Sequence, residues 1–508
     1  MPKSAAADAI PRFVLSAKSP EPLHSQIYRR IREAVLTGIL PSNTRLPSTR
    51  ILAENLGISR TTVLTAYNQL LSEGYVECRV GSGTRIARHL PDDLLHAPSL
   101  DGRAKPRPVQ PAPATPISLP QDHNDGLPNI FGPEFRLPTK SWKVCFRLAV
   151  PALDLVPFNI WARLVGKHVR RAARETIDYH DALGLSRLRK AIAAHVSVSR
   201  GISCMPDQIL ICAGAQSAID LVSRTLLDQG DRVLVEDPCH LGFVGAVAAA
   251  RARLIRMPVD GSGMQLPRGR SKAVRMAFVT PSNQFPLAVT MSLARRLALL
   301  DWAQRTGAWI VEDDYDSEFR YDSRPVPALL SLDQYGRVIY VGSFSKSLYP
   351  GLRLGFLVLP DSLVDHFVAK RRFIDFHPPM LLQAALADFI EDGHFNRHIR
   401  RLRKAYGERA EALSYHFDRQ ANGLARLTKP QAGMHSVAWL PSHADDKAIS
   451  RLAARNGIEA RALSFYGQAK QKPGLVLGFG TLTPEEIAKG VATLAGLIPR
   501  GVTLTAAG

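Results

Sequence analysis

The sequence predicts two unlike folded parts: a small helical module closed by a two-stranded hairpin, and a large α/β domain on a doubly wound, largely parallel sheet. Three observations predict this. Apolar residues recur at helical spacing within residues 21–89 and run into a glycine-punctuated hairpin. After Met205, short apolar runs alternate with amphipathic helical patterns. Between the parts, over 90–137, the periodicity stops and prolines accumulate. At 508 residues the chain is also too long for a single core.

Composition narrows the class. An apolar content of 45% with charges of both signs is that of a globular chain. No run approaches the roughly 20 apolar residues a bilayer crossing needs, so no membrane partner is expected. The opening "MPKSAAADAIPRF" lacks the basic-then-apolar layout of a secretion signal, and the expected location is cytoplasmic. Cys78, Cys145, Cys204, Cys212 and Cys239 show no paired metal spacing, which fits reduced thiols and no metal centre. The net charge of +20 favours a polyanionic partner.

Residues 1–20 read as a tail. In "EPLHSQIYRRIREAVLTG", Leu23, Ile27, Ile31, Ala34 and Val35 fall near helical spacing and Gly38 suits a stop. Ser48 then caps a short helix through Ile51, Leu52 and Leu56, and Gly57 makes a tight turn. Ser59 caps a second helix carrying Arg60, Thr61, Thr62, Val63 and Tyr67. Gly81, Ser82 and Gly83 turn "YVECR" into "TRIA", a two-stranded wing. A helix that enters a major groove by its N-terminal end needs short polar and guanidinium groups there, and Arg60, Thr61 and Thr62 supply them. Arg45, Arg50, Arg79 and Arg85 are candidates for phosphate contacts. The competing reading is solvated charge on a small helical domain.

From 90 to 137 the prolines at 98, 106, 108, 111, 113, 116 and 120 read as a semi-rigid linker, or as an irregular arm along a domain surface. The large part follows over 138–500. "QILICAG", "RVLVEDP", "AVRMAFVTP", "AWIVEDDY", "RVIYVGSFS" and "RLGFLVLP" are strand-like, with "AQSAIDLVSRTLLDQ" and "SLARRLALLDWAQRTG" as helices among them. Such sheets bind ligands at the carboxyl ends of their strands, where the polar words "AGAQ", "TPSNQ", "EDDYD" and "SFSK" stand. Neither GxxxxGK nor a strand-following GxGxxG is present, which argues against nucleotide folds. Pyridoxal phosphate needs a lysine for its aldehyde, a carboxylate for its pyridinium nitrogen, and hydroxyls, backbone N–H groups and an arginine for its phosphate. Lys346, Asp313, Ser343, Ser345 and Arg353 meet that list in this order on such a sheet.

On "GILPSNTRLPSTRILAENLGISRTTV", "AYNQLLSEGY" and "VGSGT", the stretch from Glu21 to about Ala87 resembles the GntR-type winged helix-turn-helix. From about Pro151 to Gly480 the chain resembles fold-type I aminotransferases, and nearly the whole chain resembles a MocR-type regulator of the GntR family. The resemblance implies a small C-terminal α/β subdomain over about 385–500. It makes Lys346 the Schiff-base lysine, Asp313 the partner of the pyridinium nitrogen and Tyr315 a donor to the 3′-oxygen. Ala215, Gln216, Ser343, Ser345 and Arg353 would hold the phosphate, with His240 and Asn283 beside the cofactor. Tyr179, in "DYHDALGLSRLRKAI", would reach the phosphate of another subunit, implying a homodimer, domain-swapped in one arrangement. A DNA-binding set of Arg45, Ser48, Arg50, Ser59, Arg60, Thr61, Thr62, Tyr67, Arg79, Gly81, Ser82 and Gly83 would engage a duplex operator with two half-sites.

The departures from that pattern carry information. "EDPCH" places His240 where an aromatic ring usually stacks on the cofactor. Ala288 replaces a usual glycine, and Phe285 stands where catalytic members carry an Asn. In "LVLGFG", Val476 stands where an arginine usually holds the substrate carboxylate, and Arg461 nearby is expected at the surface. These departures favour a regulator that senses pyridoxal phosphate, a vitamer or a small amine, with transaminase turnover at most residual. The alternatives are an active class I/II aminotransferase carrying a DNA-binding domain, and a winged-helix protein whose large domain holds no cofactor.

Overall fold

The computed structural model describes residues 15–16, 19, 21–79, 83–88, 90, 145–171, 177–267, 274–321, 327–468 and 472–499, Arg79 in its backbone only. Most of the expected tail, nearly all of the expected linker, and Gly81 and Ser82 of the wing lie outside the described residues. The chain divides into compact units over 1–118 and 119–508.

The first unit holds α1 (Leu23–Leu36), α2 (Thr49–Leu56), α3 (Arg60–Ser72), β1 (Val76–Arg79) and β2 (Gly83–Ile86). Its core is one cluster drawn from all five, including Ile27, Ile31, Leu52, Val63, Leu70, Val76 and Ile86. Ser48 Oγ accepts from Ile51 N and Ser59 Oγ from Thr62 N, each satisfying an amide that the first helical turn leaves open. Gly57 ends α2 at φ 65°, a conformation that favours glycine. β1 and β2 pair antiparallel from Val76↔Ile86 to Arg79↔Gly83, as the wing reading expects. Ile51 is exposed, because Leu52 and Ala53 form the buried face of this short helix.

The second unit is built on an eight-stranded sheet in the order β3-β10-β9-β8-β7-β4-β5-β6. The strands are β3 (Ile209–Cys212), β4 (Arg232–Asp237), β5 (Arg253–Asp260), β6 (Gly263–Met264), β7 (Val274–Val279), β8 (Trp309–Asp314), β9 (Val338–Ser343) and β10 (Gly355–Val358). β4, β5, β7, β8 and β9 run parallel, and β4, β7, β8 and β9 have buried, largely apolar interiors because helices cover both faces. α4 (Phe158–Arg171), α5 (Ser186–Arg200), α6 (Ala215–Leu226), α7 (Leu241–Ala249) and α8 (Leu293–Thr306) belong to this layer system. β10 is the exception within a largely parallel sheet: it is antiparallel to both β3 and β9. The stretch from Ser343 to Gly355 has no room for a crossover helix, so the chain must return beside β9 in the opposite sense. That return holds Lys346 at the carboxyl end of the sheet.

After α9 (Asp361–Arg372), α10 (Met380–Glu391) and the long α11 (His394–Gln420) comes a second, antiparallel sheet ordered β11-β12-β14-β13. Its strands are β11 (Arg426–Leu427), β12 (His435–Trp439), β13 (Arg461–Ala462) and β14 (Gly474–Gly478), with α12 (Asp446–Arg455) and α13 (Pro484–Leu497). Among the described residues no helix is long and apolar enough to cross a membrane.

Candidate ligand pocket and nucleic-acid interface

Strand pleat selects one carboxylate from the acidic end of β8. Successive side chains point to opposite faces, so Asp313 is turned away from Glu312 and Asp314. Glu312 is fixed by the Leu329 and Leu330 amides at 2.8 and 2.9 Å. Asp314 accepts from Arg200 Nε and the Tyr340 hydroxyl, each at 2.7 Å. Asp313 is 5% exposed, and its Oδ1 is buried without a hydrogen-bond partner among the described residues. Burial and the neighbouring Asp314 charge push its pKa up to about 7, against the pull of Lys346. A buried carboxylate with an empty acceptor facing an amine fits a cationic ring N–H.

Lys346 is its electrostatic partner. Burial lowers the Lys346 pKa to about 8, opposed by the carboxylates of Asp316 and Asp313 and assisted by the Arg353 charge. Its Nζ donates to the Ala149 carbonyl at 2.7 Å, a contact absent from the sequence reading because 197 positions separate the two. Asp316, also unanticipated, is buried and accepts from Asn283 Nδ2 at 2.8 Å. The Tyr315 hydroxyl donates to the Asn283 carbonyl at 2.9 Å.

The expected phosphate cup has the shape of a cradle. Gly214 (φ 90°) caps α6, so Ala215 and Gln216 open the helix with their amides at its positive end. The Arg353 guanidinium donates to the Ala213 carbonyl at 2.9 Å, and a Cβ on Gly214 would come within 3.3 Å of it. A Cβ on Gly242 would lie 2.0 Å from Gln216 Oε1 and 2.5 Å from His240 Nε2, so only glycine leaves those side chains in place. Ser343 Oγ accepts from Ser345 N at 3.2 Å. His240 is the N-cap residue of α7, and burial, then the Lys346 charge, drive its pKa down to about 4, leaving the ring neutral. Among the described contacts, none joins Tyr179 to these residues: it is 84% exposed, edge-on to Phe376 at 5.8 Å.

The departures have structural counterparts. Ala288 sits at φ 57°, which explains why a glycine is usual there and costs this chain on the order of 1 kcal/mol. Phe285 is the hub of an aromatic group, 6.0 Å from His240, 5.3 Å from His435 and 5.2 Å from Tyr466. Val476 is fully buried, registered between Val437 of β12 and Arg461 of β13. Arg461 corrects the surface expectation. Its side chain is 20% exposed and its guanidinium is paired with Glu459 at 2.9 Å.

In the first unit, Arg60 and Thr61 are exposed at the start of α3 and Thr62 is half-buried beside them. Arg60 Nε donates to Thr49 Oγ1 at 3.4 Å, linking the two helices of the turn. Arg50 is exposed and paired with Glu54 at 3.0 Å. The exposed Arg45 guanidinium lies beside Gly83 of the wing, 3.4 Å from where a Cβ would sit. Arg85 donates to the Asn43 carbonyl at 3.0 Å. Tyr67 corrects the DNA-binding set: it is 5% exposed, and its hydroxyl donates to the Pro47 carbonyl at 3.0 Å. An aromatic one helical turn beyond Val63 belongs to the core stripe, which helical periodicity alone could have indicated.

Comparison with known proteins places both units. Residues 157–494 match the family of class I and II aminotransferases, and residues 23–86 match the gntR family of bacterial regulatory proteins. The chain is 38% identical over 484 residues to the probable rhizopine catabolism regulatory protein MocR of Rhizobium meliloti, covering 95% of each. It is 31% identical over 470 residues to the pyridoxine biosynthesis transcriptional regulator PdxR of Corynebacterium glutamicum, covering 92% of this chain and 94% of that protein. Among solved structures, Pyrococcus horikoshii kynurenine aminotransferase in complex with PMP superposes with a TM-score of 0.66 at 28% identity. That match covers 71% of this chain and 91% of the enzyme.

Proposed function

The chain belongs to the MocR-type regulators of the GntR family, DNA-binding transcriptional regulators with an aminotransferase-like domain, and from that premise we propose that this domain binds pyridoxal phosphate and senses an amine through it. The observation that carries the proposal is the buried, unpartnered Asp313 carboxylate set against the Lys346 amine. When bound, the cofactor supplies an aldehyde with which amines condense. Asp313 would hold its ring nitrogen and Lys346 would be its covalent anchor. Tyr315 and Asn283 would flank the 3′-oxygen, with His240 beside the ring. Ala215, Gln216, Ser343, Ser345 and Arg353 would hold the phosphate.

Sensing rather than turnover is supported by Val476. A carboxylate held by a bidentate guanidinium is a strong, directional contact, and an isopropyl group cannot make it. Arg461 would have to leave Glu459 to substitute. The Ala149 carbonyl gives the Lys346 amine a place to return to when another amine takes over its partner. Ala149 lies shortly after the expected linker in sequence. A homodimer is part of the proposal, with the exposed Tyr179, Ile177 and Phe373 as candidate contacts. Titrating cofactor-free protein with pyridoxal phosphate tests the reading. A saturable visible band, fixed by borohydride onto the peptide containing Lys346, is the expected result. Fixation scattered over surface lysines would reject it.

The DNA half has its own test. Arg60→Ala should weaken operator binding by about 1–3 kcal/mol if the guanidinium reads a base edge. Binding should also fall steeply with salt, as phosphate contacts release counterions. A salt-insensitive complex indifferent to Arg60 would contradict this placement of α3, and competition binding at two salt concentrations measures both.

A further inference from the structure

The outward face of α3 changes chemistry one turn into the helix. Thr61, Leu64, Thr65 and Asn68 are all exposed and follow one another at i, i+3, i+4 and i+7, so they share one face. Val63, Ala66, Tyr67 and Leu70 form the buried side. Arg60 and Thr61 open the outward face with a guanidinium and a hydroxyl. The next turn has a different character. Leu64 is 44% exposed although its side chain is entirely aliphatic. Beside it, Thr65 Oγ1 donates to the Thr61 carbonyl at 3.0 Å, so its proton is already used within the helix.

The occupant of this face is a duplex, because the unit belongs to the gntR family of DNA-binding regulators. The groove limits what such a turn can read. On its major-groove edge guanine presents two acceptors, adenine an acceptor and a donor, and cytosine a donor. Thymine presents an acceptor beside its C5-methyl group. Leu64 neither donates nor accepts, and Thr65 has no proton left for an acceptor. The apolar group on those edges is the thymine methyl. Exposed leucines also occur singly on surfaces with no ligand, and Leu71, 42% exposed, continues this stripe. Leu71 lies seven residues on, about 10 Å further along the axis and near the end of α3. Leu64 lies within the turns that present side chains to bases when a helix enters the groove by its N-terminal end.

We propose that Leu64 is a sequence-specificity residue, its side chain packing on the C5-methyl group of a thymine in each operator half-site. The inference rests on the placement of α3 in the major groove. Duplexes selected by the full chain from a random pool should carry a thymine at a fixed place in each half-site. Deoxyuridine keeps the base pairing and lacks the methyl group, so it replaces each thymine in turn while affinity is measured by competition. At the thymine read by Leu64 the exchange in one half-site should weaken binding about fourfold, equivalent to about 0.8 kcal/mol for one buried methyl group. Leu64→Ala should bind the thymine and uracil duplexes alike at that place, with an unchanged salt dependence because no phosphate contact is altered. Leu64→Met keeps an apolar side chain of similar reach and should keep the discrimination, and Leu71→Ala should leave it intact. A site in which no thymine methyl matters overturns the proposal. So does discrimination that survives Leu64→Ala, or that is lost equally in Leu71→Ala. Arg60→Ala separates these failures from failure of the premise. If Arg60→Ala also binds as wild type, or the pool yields no preferred sequence, α3 does not read bases and both readings fall. If Arg60→Ala weakens binding while every uracil exchange is silent, the inference about Leu64 alone falls.

Discussion

Lys346→Ala should abolish the borohydride-fixable band completely. Only a neutral amine condenses with an aldehyde, and burial lowers the Lys346 pKa to about 8. At pH 7.4 roughly 20% of such an amine is neutral, against about 0.1% of an ordinary lysine. Condensation should therefore slow as pH falls below about 8, because the protonated fraction grows. Lys346→Arg separates charge from chemistry, since it retains a cation near Ala149 but cannot condense. Absorbance with and without reduction is the measurement. A band of undiminished strength in Lys346→Ala would show that the anchor lies elsewhere.

Asp313→Asn should move two quantities in opposite directions. In the cofactor-free protein the carboxyl is raised to about 7, above its unfolded value near 3.9. The fold then prefers the protonated form. The group's contribution is intact at about pH 4 and below, declines as pH rises, and is lost above about pH 7. A neutral isostere escapes that loss, so the cofactor-free Asn variant should melt a few degrees higher than wild type at pH 8, with no gain near pH 4. Pyridoxal phosphate should bind it about 10- to 100-fold more weakly, since a charge-assisted hydrogen bond contributes roughly 1.5–3 kcal/mol. A variant that melts lower at pH 8 and binds the cofactor as tightly as wild type would refute the role given to Asp313.

The parts of this molecule that were legible are those whose signal is local. Ser48 and Ser59 sit at caps because a helix start needs an acceptor within three residues, and Gly57 turns because its φ is positive. The strands that end at Asp314 and Ser343 read as apolar runs with polar ends, so Asp313 and Lys346 stand out in the sequence itself. What was missed depends on registers between distant segments. The reach of Lys346 to Ala149 and the shelter of His435 behind Phe285 have no local pattern. Arg461 was expected at the surface because a lone arginine usually is, whereas pairing of β13 with β14 sets it beside Val476 and gives it Glu459. Tyr67 reads as a DNA contact from its polar tip and its neighbours in sequence, whereas its ring belongs to the core and its hydroxyl is used within the fold. The antiparallel sense of β10 was readable from the short return after Ser343, had connection length been weighed against apolar content.

The central claim is that one protein couples amine chemistry at Lys346 to DNA geometry without becoming an efficient transaminase. A ligand moves a conformational equilibrium only through its differential affinity for the two states, so the coupling must appear as a change in operator affinity. The direct measurement is the affinity of the full chain for a duplex it selects, taken without cofactor, with pyridoxal phosphate, and with pyridoxal phosphate plus a small amine, while keto-acid production is followed in the same samples. A several-fold change in affinity or an altered footprint, with keto acid near background, is the predicted result. Robust multiple turnover with a common amino acid, alongside DNA binding indifferent to both cofactor and amine, would contradict it.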